Sequence, residues 1–346
     1  MNFSKHLIDW YLKNKRELPW RQAKDPYCIW LSEIILQQTR IDQGLPYYNK
    51  FVAHYPTLND LAKASEKEIL KLWQGLGYYS RARNLHFSAK HIVNELNGVF
   101  PNTYKNLLQL KGIGDYTASA IASICFNEET AVVDGNVYRV LARFFGVETA
   151  INSSKGIKEF KKLAQELIKG EHPGTFNQAI MEFGARMCIP QNPNCDFCPV
   201  KNGCIAFGQN KIETLPNKPK KTVIKQRFFN YLVIETENNC GHLVKRKEGI
   251  WKNLYQFPLI ETDKVIDEKV LFSHNEFENL FNNISVNIRL HNTTMVVHKL
   301  SHQTIFTKFW IVKLKEDKKF VTHWDTLIEY PVPKLIENFL KTYKSK

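Results

Sequence analysis

The sequence predicts a multi-domain protein, all-α in its first part and α+β in its last. Three observations carry this reading. Apolar residues recur at helical spacing through residue 187, and no segment there alternates as a strand does. Composition turns polar and basic after Phe207, with Pro216 and Pro219. From Arg227 onward, several runs alternate apolar with polar residues. The expected boundaries are a helical domain over 1–207, a basic linker over 208–226 and an α+β domain over 227–346.

A first amphipathic helix carries Phe3, Leu7, Ile8, Trp10 and Tyr11, and Leu18-Pro19-Trp20 makes a corner after it. From Pro26 to Ile41, Trp30, Leu31, Ile34 and Ile35 form an apolar stripe beside Glu33, and Gln37-Gln38-Thr39 closes that helix. Leu58 to Trp73 is helical, with Ser65 and Glu68 at the capping-box spacing. Gly75 and Gly77 then break the chain before a basic helix. Gly112 and Gly114 mark a tight hairpin ahead of the small-residue helix that starts at Tyr116, and an outward-facing helix start suits a phosphate. Asp134-Gly135-Asn136 opens a further helix with Val137, Val140, Leu141 and Phe144 inward and Arg139 and Arg143 outward. Two more helices lie within 157–187. Past the linker, whose lysines are Lys218, Lys220, Lys221 and Lys225, strands are expected around 227–235, 241–246, 293–298 and 304–314, and helices near 275–283 and 333–343.

At 346 residues with a net charge of +14, the chain favours polyanionic partners, nucleic acid first among them. No apolar run approaches the ~20 residues of a membrane span, and the N-terminus lacks a signal-peptide core, so a cytoplasmic or nucleoid location without membrane contact is expected. Cys28, Cys125 and Cys240 read as buried apolar residues, whereas Cys188, Cys195, Cys198 and Cys204 cluster as metal ligands, suited either to zinc or to an iron–sulfur cluster.

Four features converge: Ser32-Glu33-Ile-Ile-Leu-Gln37-Gln38-Thr39, the Leu-Lys-Gly-Ile-Gly-Asp hairpin, Val133-Asp134-Gly135-Asn136-Val137 and the four-cysteine array. Together they resemble the helix-hairpin-helix DNA glycosylases, and specifically the MutY-type adenine DNA glycosylases, over essentially the whole chain. The resemblance implies an all-α helix-hairpin-helix domain with an iron–sulfur loop at 188–204 holding one 4Fe–4S cluster, and a Nudix-like C-terminal domain. It implies hydrolysis of the N-glycosidic bond of adenine opposite 8-oxoguanine or G in double-stranded DNA.

Glycosidic cleavage needs one carboxyl protonated near neutral pH and one ionised. Glu33, bordered by Trp30, Ile34 and Leu36, suits the acid, and Asp134 at a helix start suits the anion, so their environments are expected to push the two carboxyls apart. By resemblance, Tyr116 assists Asp134. It stands where lyase relatives carry a Schiff-base lysine, which implies a monofunctional enzyme. Gln38 and Tyr78 correspond to the residues that fill the gap left by the flipped base, with Gln37, Thr39 and Leu76 beside them. Gly112, Gly114 and Asn136 are further DNA-binding positions, and Arg16, Trp20, Arg21 and Glu182 line or support the base pocket. The Nudix glutamate array is absent between Glu261 and Leu271, so the second domain is expected to bind without hydrolysing. Ser301 and His302 correspond to the lesion-reading loop, with Leu300 where the family has an aromatic residue. A monomer working with a sliding clamp or downstream repair enzymes is implied. The competing readings are a thymine-mismatch or pyrimidine glycosylase/lyase and a non-catalytic damage-binding protein.

Overall fold

The computed structural model describes residues 2–23, 25–219, 224–282, 284–315 and 322–343. Lys220 and Lys221 of the expected basic linker lie outside the described residues. The chain divides into two compact units, one formed by Met1–Ala64 with Asn84–Lys220 and the other by Ser65–Arg83 with Lys221–Lys346.

The helices in chain order are α1 (Phe3–Asn14), α2 (Pro19–Gln22), α3 (Pro26–Leu36), α4 (Ile41–His54), α5 (Leu58–Lys63), α6 (Glu66–Leu72), α7 (Ser80–Glu95), α8 (Tyr104–Leu107), α9 (Asp115–Phe126), α10 (Gly135–Phe145), α11 (Ser154–Leu167), α12 (Pro173–Arg186) and α13 (Ile205–Gly208). Local chemistry sets their ends. Pro19 opens α2 at its first position, and Asp25 caps α3 ahead of Pro26, accepting from the Tyr27 amide at 2.9 Å. The stretch Leu58–Trp73 is two helices, each with its own capping box: Thr57 with Asp60, and Ser65 with Glu68.

The core of the first unit gathers Leu7, Val137, Leu141, Phe160, Phe176, Ile180 and Phe183 from α1, α10, α11 and α12. Helix α9 buries Ala118, Ser119, Ala120 and Ala122, small side chains that let neighbouring backbone come close. Arg139 and Arg143, expected outward, are 8% and 2% exposed. They are tolerated inside because their fixed forks of donors meet backbone carbonyls, those of Gly184 and Cys188 for Arg139 and those of Ile189, Pro190 and Leu215 for Arg143. Cys28, Cys125 and Cys240 are only partly buried.

The second unit is built on β1 (Lys225–Thr236), β2 (Cys240–Gly241), β3 (Val244–Lys245), β4 (Tyr255–Gln256), β5 (Leu259–Thr262), α14 (Glu268–Phe272), α15 (Asn275–Phe281), β6 (Asn287–Leu290), β7 (Val296–Lys299), β8 (Gln303–Leu314), β9 (Thr322–His323) and α16 (Lys334–Tyr343). Its main sheet runs β5-β1-β8-β6, with β7 also on β8. β1 and β8 are parallel, from Lys225 opposite Gln303 to Thr236 opposite Leu314. Period-2 alternation makes the sheet two-faced. Leu232, Ile234, Trp310 and Val312 pack with Leu271, Phe277 and Phe281 of α14 and α15. Tyr231 and Phe309 point the other way, where Phe309 stacks on Phe339 of α16 at 4.2 Å.

Residues 65–83 join this unit through polar contacts. Lys71 donates to the carbonyls of Ile328 and Tyr330, Gln74 accepts from the Val332 amide at 3.2 Å, and Asn253 donates to Glu66 at 2.8 Å. Among the described residues, no helix is long and apolar enough to cross a membrane.

Candidate active site

Three elements of the first unit converge on one group of titratable side chains. Glu33 projects from α3 between buried Ser32 and Ile34. Burial pushes its carboxyl up to about 7, with the Tyr116 hydroxyl and Arg21 opposing that shift and Asp134 adding to it. Tyr116, in the first turn of α9, is held protonated by burial and by the two carboxyls, and its hydroxyl also reaches the Met181 sulfur at 3.2 Å. Asp134 is the N-cap of α10. Its Oδ1 accepts from the Asn136 and Val137 amides at 2.9 and 2.8 Å, and its Oδ2 from the Asn136 side chain at 2.9 Å.

Sequence reasoning expects these carboxyls to be pushed in opposite directions. Burial instead raises both. The two differ in what opposes that rise: three hydrogen bonds and the Arg139 charge at Asp134, and the Tyr116 hydroxyl and Arg21 at Glu33. The set can therefore offer a proton from Glu33 near neutral pH beside a second carboxyl that accepts three hydrogen bonds.

Behind this group, Glu182 is 2% exposed and binds two arginines. Arg16 reaches it through Nε at 2.8 Å and Nη2 at 2.7 Å, and Arg21 through Nη2 at 2.7 Å. Burial works to raise the Glu182 carboxyl, but the arginine hydrogen bonds outweigh it and bring it to about 2. Trp20 is buried and packs edge-on against Tyr48 at 5.0 Å. Arg16, Gln38, Thr39, Asn136 and Arg139 line one cleft.

Gln37 donates to Thr117 at 3.2 Å, Thr39 accompanies it at the end of α3, and Gln38 is exposed with φ +57°. In the second unit, Tyr78 has φ +47° and is 47% exposed. A left-handed conformation costs a non-glycine residue on the order of 1 kcal/mol or more, and such strain gathers at functional positions. Leu76 is 4% exposed, so it anchors the loop that displays Tyr78 instead of projecting from it.

In the hairpin only Gly112 takes a positive φ, +86°, and a Cβ there would lie 2.6 Å from that of Asn84. Gly114 is the N-cap of α9 with extended backbone and supplies no side-chain cap, which leaves first-turn amides at an exposed corner.

Cys188, Cys195, Cys198 and Cys204 line a single cavity with Val140, Phe144, Phe183 and Met187, and Arg143 Nη1 lies 3.5 Å from the Cys188 sulfur. Among the described residues, no three His, Cys, Asp or Glu side chains stand at single-ion geometry. Ser301 and His302 are exposed at the turn between β7 and β8, where the His302 ring lies 3.1 Å from Ser301 Oγ and 3.2 Å from Gln303 Nε2.

Sequence reasoning missed Arg139, Met181 and Thr117 as neighbours of the site. Their link to it is tertiary, and only the proximity of Arg139 to Asn136 at helical spacing offered a signal.

Residues 31–168 match the model of the HhH-GPD superfamily of base excision DNA repair proteins. The chain is 34% identical to the adenine DNA glycosylase of Buchnera aphidicola subsp. Acyrthosiphon pisum over 98% of both chains. It is 45% identical to that of Rattus norvegicus over 63% of this chain and 44% of the relative. Among solved structures, a thermostable thymine-DNA glycosylase aligns with a TM-score of 0.56 at 31% identity, covering 60% of this chain and 95% of that one. Endonuclease III in a non-covalent DNA complex aligns at 0.52 and 21% identity over 60% of this chain and 94% of that one, a likeness of fold. With both the helical repair domain and the full-length relatives matched, the chain belongs to the adenine DNA glycosylase family within the HhH-GPD superfamily.

Proposed function

We propose that the chain hydrolyses the N-glycosidic bond of adenine mispaired with 8-oxoguanine, or with guanine, in double-stranded DNA, as a monofunctional enzyme. The observation that carries this is the Glu33–Tyr116–Asp134 group, with Glu33 raised to about 7 and Asp134 held by three hydrogen bonds. Glu33 gives its proton to a ring nitrogen of the flipped adenine. The bond between that base and the sugar then breaks, with the electron pair leaving on the base. Asp134 faces the cationic sugar, Tyr116 orders both carboxyls, and water adds to the sugar carbon as its proton returns to the Glu33 carboxylate. Tyr116 has no amine with which to form a Schiff base, which supports the absence of a lyase step. Gln38 and Tyr78, exposed and strained, serve as the wedge, while Gln37, Thr39, Asn136 and the Gly112–Gly114 hairpin engage the backbone around it.

Four thiols with no histidine, gathered on one cavity whose other walls are mostly apolar, with Arg143, Asn194 and Lys201 among them, suit a 4Fe–4S cluster. Cys188, Cys195, Cys198 and Cys204 would hold it, and when bound it supplies rigid ligation for the 188–204 loop. Lys201 of that loop is then carried to the DNA phosphates. The second unit, a sheet covered by helices on both faces, is consistent with a Nudix-like module that reads the opposite base through Ser301 and His302.

The test is incubation with duplexes carrying A opposite 8-oxoguanine, A opposite G and T opposite G, followed by alkali. Strand scission at adenine that requires alkali is expected. Scission at thymine, the base in the name of the thermostable structural relative, or scission without alkali would overturn the proposal.

A further inference from the structure

We propose that Lys161 is a positioning residue for the excision chemistry: its ammonium ties the first turn of α9 to the extended segment that delivers Asp134. This rests on the catalytic roles given above to Tyr116 and Asp134.

Asp134 stands at the end of a stretch, 127–134, that belongs to no helix or sheet. Its buried backbone groups therefore need partners from elsewhere. Side chains of α11 and α12 supply them. Gln165 accepts from the Ala131 amide at 3.0 Å and donates to the Glu129 carbonyl at 2.7 Å. Asn177 accepts from the Val132 amide at 3.0 Å and donates to the Thr130 carbonyl at 2.8 Å. Lys161 closes the set by donating to the Ala131 carbonyl at 2.7 Å.

Among the described residues, Gln165 reaches only this segment, and Asn177 adds Ser123 near the far end of α9. Lys161 alone of the three binds the end of α9 that carries Tyr116. It reaches both oxygens of Asp115 at 2.9 and 3.0 Å and the Ser119 hydroxyl at 3.0 Å. One ammonium thus spans the two elements that present the phenol and the carboxylate to the sugar. Its three N–H donors face Asp115, Ser119 and Ala131, which leaves none for a DNA phosphate, unlike exposed Lys158 and Lys162 on the same helix. An exposed lysine–carboxylate pair contributes little by itself. Here the pair also satisfies a carbonyl of fully buried Ala131, three residues before the reacting acid.

The experiment compares the full-length holoprotein with Lys161→Met, Asp115→Asn and the double variant. Single-turnover excision is measured on A opposite 8-oxoguanine, binding on a duplex with a non-hydrolysable adenine nucleotide, and melting temperature on each protein. Lys161→Met is expected to slow excision about 10- to 100-fold, the scale of an ångström's misplacement, with affinity changed by less than about 3-fold. The double variant is expected to be no slower than Lys161→Met, because both changes break one tether.

An unchanged rate at saturation, with or without a lower melting temperature, would overturn the proposal. Loss confined to affinity and its salt dependence would do so as well, by making Lys161 a phosphate contact. If Lys161→Met does not fold, Asp115→Asn alone decides: slower excision at unchanged affinity supports the tether, and the native rate refutes it. Asp134→Asn, run alongside, isolates the underlying reading: native excision there would discard the catalytic assignment and not the tether.

Discussion

A carboxyl raised to about 7 is useful to a glycosylase and costly to its host. Glu33 loses solvation on α3, and the Tyr116 hydroxyl and Arg21 return only part of it. The sign of the pH dependence follows. The folded chain holds the proton more tightly than the unfolded one, so the stability tied to protonated Glu33 is present at low pH. It is lost as pH rises from about 4.5 toward 7. Glu33→Gln is expected to be more stable than the native protein at pH 8 by on the order of 1 to 3 kcal/mol, with no gain at pH 4, as read by chemical denaturation. It should still bind the mispaired duplex while losing excision. In the native enzyme, single-turnover rates should fall about tenfold per pH unit well above 7, as the acid form empties. A flat profile through pH 9 would remove the proton from Glu33.

Asp134 caps its helix besides taking the part proposed for it in the chemistry, and the two roles separate by substitution. As N-cap it satisfies the Asn136 and Val137 amides of α10. Serine can also cap, whereas alanine cannot. Asp134→Ser should therefore be more stable than Asp134→Ala by about 1 kcal/mol, while both lose at least about 100-fold in excision for want of a carboxylate. A serine variant that excises at the native rate would reduce Asp134 to a cap.

The same element marks how far the sequence could be read. Asp-Gly-Asn after two valines signals a helix start, and Gly112 signals a turn that only glycine fits, because both messages are local. Arg139 and Arg143 looked outward because their charge obeys the helical pattern. What draws them inside are carbonyls of Gly184, Cys188, Ile189, Pro190 and Leu215, groups that every residue carries and no motif advertises. Lys161 and Asn177 were hidden for the same reason. The short strands β5 and β6 escaped because four residues are too few for a period to stand out, even where, as in Asn-Ile-Arg-Leu of β6, they alternate.

At the scale of the molecule, a net charge of +14 draws the chain to DNA, but the allocation of segments to units governs what it does there. Residues 65–83, which display Tyr78, belong to the second unit. Their polar anchors come from far along the chain: Ile328, Tyr330 and Val332 hold Lys71 and Gln74, Asn253 holds Glu66, and the Lys252 carbonyl holds Arg83. Removing the C-terminal domain therefore takes away the scaffold of Tyr78, the proposed wedge residue, as well as Ser301 and His302. A chain ended at Pro219 should be cut by protease within 65–83 at least about tenfold faster than the full chain, since local protection tracks the contacts that hold a segment closed. Its excision of adenine opposite plain G should fall too, although G carries no oxidised base for the lesion-reading role proposed for the second unit. If the truncated chain keeps its protection and its activity on A opposite G, the wedge loop is held by its own helices, and the C-terminal domain contributes to lesion reading alone.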